Sequence, residues 1–284
     1  MPNINEIRQD MDFMDNLGDI IDVFKAAAVL QHRSYSVKKR PNTDFMNMST
    51  DFMQTLAEFN DSGPLFRENN DMPEGVIVLT SDEGFLGELN IQIIENAVRA
   101  AHKRSDKIFV YGQRGCSYFD DLGRSFVNMG SIAEDVRIDD LFSAARILMN
   151  GFGEEYYSLS VIYPEYLSVT MHKVVEKRLL PFPAQSDKKR FGPVFTKAVS
   201  FAPDPSAVEA MAAVYFLASR LRIIFDEFKL SEYSARIMHL ERSSQELTEV
   251  NNTLHNKYFK LLHELNDKGI REITSARVAI KEWQ

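Results

Sequence analysis

The chain has 284 residues, 44% hydrophobic and 26% charged, a balance that supports one or two globular domains with a real core and excludes a disordered protein. A net charge of -8, with only the short basic runs Lys38-Lys39-Arg40 and Lys188-Lys189-Arg190, argues against nucleic acid as a partner. Cys116 is the only cysteine, which excludes an internal disulfide, a zinc cluster and a CxxC redox pair and fits a reducing compartment. The N-terminal stretch is acidic and amphipathic, and no apolar run approaches the ~18 residues of a membrane span, so no direct membrane insertion is expected.

The first element is a helix. Ile4, Ile7, Met11, Met14, Gly18 and Ile21 alternate by three and four, the spacing of a seam that faces a second helix. Leu17, Ile20, Phe24 and Ala28 broaden that stripe toward a second face. Pro41 and Asn42 interrupt the pattern, and Phe45, Met48, Phe52, Met53, Leu56 and Phe59 resume it as far as Asn60. Residues 1–60 therefore read as one helical arm with a kink near Pro41, followed by loops at Asp61-Ser62-Gly63-Pro64 and Asp71-Met72-Pro73.

From Val76 the period changes. Val76-Ile77-Val78-Leu79, Lys107-Ile108-Phe109-Val110-Tyr111 and 157–163 are short β-branched and aromatic runs that suit buried strands. Between them, Leu89 to Lys103 and Ile138 to Met149 carry helical stripes. Strand, helix, strand and helix in succession make a parallel-sheet α/β domain over residues 74–183, with 171–181 adding further strands or a connection. Prolines and glycines from Pro181 to Pro205 punctuate the crossing to the last element, with Ser206 as its expected cap.

From Ser206 to Gln284 there is no proline and one glycine, Gly269, so 206–284 reads as a single helix reaching about 115 Å. A helix of that length needs a partner or stands free. Tyr233, Ile237, Leu240, Ser244, Leu247, Asn251, Leu254, Tyr258, Leu261 and Leu265 keep the same four-three alternation, a left-handed supercoil period. Ser244 and Asn251 are polar intruders of the kind that cost stability while setting register. The two terminal helices form the two strands of one antiparallel coiled-coil shaft, although periodicity does not name the partner and pairing between two chains satisfies the same seams.

Catalytic chemistry is thin. Thr80-Ser81-Asp82-Glu83-Gly84-Phe85-Leu86-Gly87 lies where a strand enters a helix, but it lacks GxGxxG and a P-loop lysine, and its acids repel phosphate. Gly112-Gln113-Arg114-Gly115 reads as a turn. His32, His102 and His172 are isolated, and His239, His255 and His263 stand on the long helix outside any metal-ligand frame. No catalytic residue, cofactor site or metal site is expected, and Cys116 reads as a small packing residue.

The arrangement resembles the gamma subunit of F-type rotary ATPases, the central stalk. Residues 78–90, reading through Ser81-Asp82-Glu83-Gly84-Phe85-Leu86-Gly87-Glu88-Leu89-Asn90, are similar to that family's strand-turn signature, with Phe85, Leu86 and Glu88 in place of Leu, Cys and Gly. Phe109 to Gly115 resembles the following strand and its turn. Phe24-Lys25-Ala26-Ala27-Ala28 with Arg33 and Tyr35 resembles the N-terminal basic segment, and Ser231-Glu232, Arg236-Ile237, Leu240, Leu247, Leu254 and Tyr258 fall in step along the last helix. The N-terminal match stands somewhat closer to the alternative F-type lineage. Where the family carries Arg-Gln-x-x-Ile-Thr-x-Glu, this chain has Leu262 to Gly269, with Ile273-Thr274 one heptad later and Ala276 in the acid's place.

The resemblance implies a fold, partners and a location. The fold is α/β, a long antiparallel coiled coil of terminal helices with an inserted Rossmann-like domain. The partners are alpha- and beta-type ATPase subunits, an epsilon-type subunit and the membrane c-ring, at the cytoplasmic face of the inner membrane. The partner-binding residues it implies are Lys25, Arg33, Ser81, Asp82, Gly84, Gly87, Asn90, Leu262, Leu265, Ile270 and Ile273, and none binds ATP. The competing readings are a coiled-coil adaptor with an α/β head, a gamma-like paralogue outside a coupled synthase, and a small Rossmann-like enzyme with a helical arm. The agreement of the signature at 81–90 with the seams at both termini ranks the rotor first.

Overall fold

Alternate residues of the central strands belong to two different apolar clusters, the period-two signature of strands buried on both faces. The computed structural model describes residues 4–38, 43–59, 63–67, 69, 72–101, 106–182 and 204–281. In chain order the elements are α1 (Ile4–Lys38), α2 (Thr43–Phe59), β1 (Glu74–Leu79), α3 (Leu89–Ala100), β2 (Lys107–Tyr111), α4 (Gln113–Asp121), β3 (Val127–Asn128), α5 (Ile138–Met149), β4 (Ser158–Ser168), β5 (Met171–Leu180) and α6 (Pro205–Lys281). Pro41, His102, Lys103 and the stretch 183–203 with its basic run lie outside the described residues.

Two compact units emerge, one of residues 30–236 and one of 1–29 with 237–284. In the first, five strands form one sheet in the order β3-β2-β1-β4-β5. β1 is parallel to β2 and β4, β2 is parallel to β3, and β5 runs antiparallel to β4 at the edge. Ile77, Leu79, Phe109, Tyr111 and Val161 face Met53 of α2, Leu148 of α5 and Leu221 and Phe225 of α6. Val76, Val78, Ile108, Val110 and Ile162 face Leu89 and Ile93 of α3 and Phe119 of α4. Each such side chain contributes about 1.5–3 kcal/mol by leaving water. The fold is thus a three-layer α/β sandwich, mixed in strand direction through β5.

Three details differ from the sequence reading. Gly112-Gln113-Arg114-Gly115 is not only a turn but the entry to α4, and Gly115 lies inside that helix because a Cβ there would sit 2.5 Å from Thr80 Oγ1. β3 has two residues and carries no periodic signal. The cap of α6 is Asp204 rather than Ser206: its carboxylate accepts from the Ala207 amide at 3.0 Å, and Pro205 supplies the preset φ of the first helical position.

In the second unit, α1 up to Val29 and α6 from Ile237 run antiparallel. Asn251 donates to Asp15 at 2.7 Å and Lys25 pairs with Glu241 at 3.2 Å. Gly18 lies against Leu247, where an added Cβ would come within 3.3 Å of a methyl group, so the missing side chain lets the helices approach. Ile4, Ile7, Met11, Met14, Gly18 and Ile21 are all fully or partly buried, and the same spacing runs on through Lys25 and Ala28. On α6, Ile237, Leu240, Ser244, Leu247, Asn251, Leu254, Tyr258 and Leu261 form the facing seam. Of the broader stripe, Ala28 is buried and Leu17 partly buried, while Ile20 and Phe24 are exposed: a helix with one partner covers one seam and its margin, not two seams.

Candidate functional site

Open parallel sheets take ligands outside the carboxyl ends of their strands where the strand order reverses. Here that place is the end of β1, flanked by β2 and β4. The loop that follows β1 is filled by its own polar groups. The Ser81 amide donates to Asn90 Oδ1 at 3.2 Å, Asn90 Nδ2 donates to Ser81 Oγ at 2.8 Å, and Ser81 Oγ donates to the Glu83 carbonyl at 2.7 Å. Ser81 is buried. Gly87 takes a φ of 58° and the exposed Phe85 a φ of 63°, which turn the loop back on itself.

Asp82 closes the second half of the site. Its Oδ1 accepts from the Gln113 amide at 3.0 Å and from Ser131 Oγ at 2.9 Å, so a carboxylate of the chain itself sits at the N-terminus of α4, where an anion would otherwise be drawn. Beside it Thr80 Oγ1 donates to the Tyr111 carbonyl at 2.7 Å and accepts from the Gly115 amide at 2.9 Å. Gly112, at φ 91°, is held so close that a Cβ would lie 2.1 Å from the Thr80 carbonyl oxygen. Gly84 lies near Arg114 Nη2.

α6 crosses the same strand ends. Ser231 Oγ donates to the Pro164 carbonyl at 2.8 Å, and Arg236 Nη2 reaches Glu83 at 3.1 Å. Arg236 is held from behind by Glu232 at 3.0 Å, which also takes Lys229 at 3.0 Å. The Arg236 and Glu232 side chains are 8% and 4% exposed, so this charge triad is desolvated, whereas Glu83 lies in water. The burial of Lys229 and the link from Arg236 to the signature loop carry no sequence signal: charges three and four apart on a helix read as a solvated face. A second joint ties α1 to α6 through Glu134, which accepts from Gln31 Nε2 at 3.0 Å, from Tyr233 at 3.3 Å and, on its backbone oxygen, from Tyr35. Burial and nearby carboxylates push both tyrosine hydroxyls well above their ordinary range.

The remaining anticipated residues fall elsewhere. Lys25 occupies a seam position between Asp22 and Glu241, whose hydrogen bonds raise its pKa. Arg33 is exposed on α1. The register that pairs Lys25 with Glu241 brings Ile4 level with Leu262, and from His263 to Ala276 every side-chain position but Gly269 is exposed. Leu262 is half-buried at this boundary, while Leu265, Ile270 and Ile273 stand open, Ile273 at 70%. The histidines are dispersed, and among the described residues no group of three or more metal-ligating side chains is placed to hold an ion. Burial raises the Cys116 thiol pKa, away from nucleophile chemistry. No described helix is long and apolar enough to cross a membrane.

An antiparallel pair of long terminal helices, and an α/β unit whose ligand crevice is filled by its own atoms, are the parts of a shaft-type subunit. The comparisons agree. The family model described as ATP synthase matches residues 3–280. The ATP synthase gamma chain of Dictyoglomus turgidum is 24% identical over 295 residues, covering 99% of each chain. That of Staphylococcus haemolyticus is 24% identical over 232 residues, 79% of this chain and 80% of the relative. Among solved structures, a chain of the Euglena gracilis mitochondrial ATP synthase OSCP/F1/c-ring assembly matches with a TM-score of 0.70 at 15% identity, over 98% of this chain and 94% of that one. A chain of the Tetrahymena thermophila mitochondrial ATP synthase central stalk and c-ring matches with a TM-score of 0.64 at 14% identity, over 79% and 99%. The chain belongs to the ATP synthase gamma family and is a central-stalk subunit of the F type.

Proposed function

We propose that this chain is the non-catalytic rotor shaft of an F-type ATP synthase or ATPase, peripheral to the membrane at the cytoplasmic face, turning inside a ring of alpha- and beta-type subunits. The observation that carries the reading is the shape of the shaft end. α6 continues past the level at which α1 covers it and presents Leu265, Ile270 and Ile273 to solvent. Exposed apolar side chains at the end of an ordered helix suit a bearing surface lined by other subunits. The pair is asymmetric, so each orientation offers different side chains to each catalytic subunit, and only such differential contacts can bias those subunits between states.

The head is the docking body for an epsilon-type subunit and the membrane c-ring. Ser81, Asp82, Gly84, Gly87 and Asn90 act there by shaping the loop, which turns Phe85 and Glu83 outward as contact groups. Lys25 and Arg33 act along the shaft, and Leu262 at its covered boundary. The chemistry of ATP belongs to the partners, since the crevice of this head holds Asp82 and Arg236 in place of an anion site.

The test is purification of the tagged chain from its native cells at low salt, with mass spectrometry and an ATPase assay. Recovery with alpha- and beta-type subunits and ATPase activity is expected; recovery alone or with unrelated proteins would overturn the reading.

A further inference from the structure

A cleft of about 400 Å³ opens between α2, β5 and α6 in the head-bearing unit, within the size range of small-ligand sites. Its walls are largely apolar, with Leu179, Phe182, Phe216 and Ile224. Arg220 of α6 stands in it, half-buried. Its guanidinium lies 5.2 Å from the Phe216 ring centroid, and its hydrogen-bonding contact is Met46 Sδ at 3.8 Å, a weak acceptor. No carboxylate among the described residues pairs with it. Burial lowers its pKa from the ordinary arginine value, the mark of a cation that has lost water without gaining a counter-ion.

The other charges in the cleft are committed. Lys177 donates to Glu165 at 2.6 Å and to the Tyr163 hydroxyl at 2.8 Å, and that hydroxyl donates to Glu227 at 2.8 Å. Glu227 therefore already has its donor. The Gln54 amide lines the same space without a hydrogen bond among the described residues. What the cleft lacks is one anionic group opposite Arg220 and an apolar body to cover Phe182 and Phe216.

We propose that this cleft binds a small organic anion, a carboxylate on an apolar stem, with the Arg220 fork on the carboxylate and Gln54 as an auxiliary donor. A planar guanidinium matches a carboxylate bidentately, and a site walled by aromatics strengthens that pairing. The inference does not depend on the rotor reading, since no partner subunit contributes to it.

The test is calorimetric titration of the purified full chain with octanoate, and with octanamide as its uncharged counterpart. Octanoate binds saturably at one site and octanamide about tenfold or more weaker. Arg220→Gln loses about tenfold or more in octanoate affinity, while its ligand-free melting temperature is equal or higher because the unpaired cation is gone. No saturable octanoate binding, equal binding of octanamide, or undiminished binding by Arg220→Gln would each overturn the proposal. If Arg220→Gln does not fold, Thr50→Phe fills the cleft from α2 without touching the arginine; it abolishes binding if the site is here, and unchanged binding overturns it.

Discussion

Asn251 reaches across the shaft to Asp15, its amide nitrogen 2.7 Å from the carboxylate, while its own Oδ1 is buried without a partner among the described residues. One half of this amide is thus satisfied and the other half is not. A polar seam residue in that state pins register at a cost in stability. Asn251→Leu is expected to stabilise the shaft by about 1 kcal/mol, read as a higher urea midpoint, while loosening the alignment of α1 with α6. A lowered midpoint would mean that the Asp15 bond outweighs the apolar seam.

Gly112→Ala places a Cβ 2.1 Å from the Thr80 carbonyl at a positive φ, so both space and backbone conformation oppose it. The expected loss is about 3–4 kcal/mol by chemical denaturation. Gly123, also at positive φ but with nothing within 4 Å of an added Cβ, separates the two causes. Gly123→Ala should cost about 1–2 kcal/mol.

The triad on α6 predicts a sharp contrast between its buried and exposed anions. Glu232→Gln leaves Lys229 and Arg236 as neighbouring cations with little water, and about 3–5 kcal/mol of stability is lost. Glu83→Gln removes a solvated partner of the same arginine and costs less than about 1 kcal/mol. Comparable losses in the two variants would refute the burial argument.

Much of this architecture is readable in the residues. β1 and β2 are β-branched runs with no competing period, α5 carries a full apolar stripe, and the seams at both ends hold one spacing for many turns. α4 is not readable, because glycines at 112 and 115 signal a turn while the real constraint is the approach of Thr80, distant in sequence. The signature at 81–90 is legible as a pattern, but the hydrogen bonds by which its serine, aspartate and asparagine close on the loop and on α4 are not, because they join residues whose spacing carries no period.

Stability of the head-bearing unit should depend on pH through two histidines. The His32 ring lies tilted against Tyr166 with centroids 5.8 Å apart, His172 pairs with Tyr166 in the strand register, and each has a buried ring nitrogen without a partner among the described residues. Burial lowers both pKa values from the ordinary 6.5. The unfolded chain therefore binds protons first, and stability present above pH 6.5 is lost as pH falls from there toward the folded values. Urea midpoints between pH 7.5 and 5.5 should fall, and His32→Phe should flatten the slope; a slope unaltered by that change would assign the effect to other groups.

At the shaft end, replacing Leu265, Ile270 and Ile273 together by glutamine removes apolar surface that is already in water. Each change should shift the stability of the isolated chain by no more than about 0.5 kcal/mol. In the assembled complex, ATP-driven ion pumping should fall several-fold relative to ATP hydrolysis. Intact coupling in vesicles would show that the bearing lies elsewhere.

The carboxylate of Asp82 at the head of α4, with α6 lying across the neighbouring strand ends, bears on pharmacology. A nucleotide mimic entering this crevice would have to evict a side chain covalently part of the protein and lift a helix held by Arg236. Selective compounds against this subunit must therefore be sought away from the end of β1.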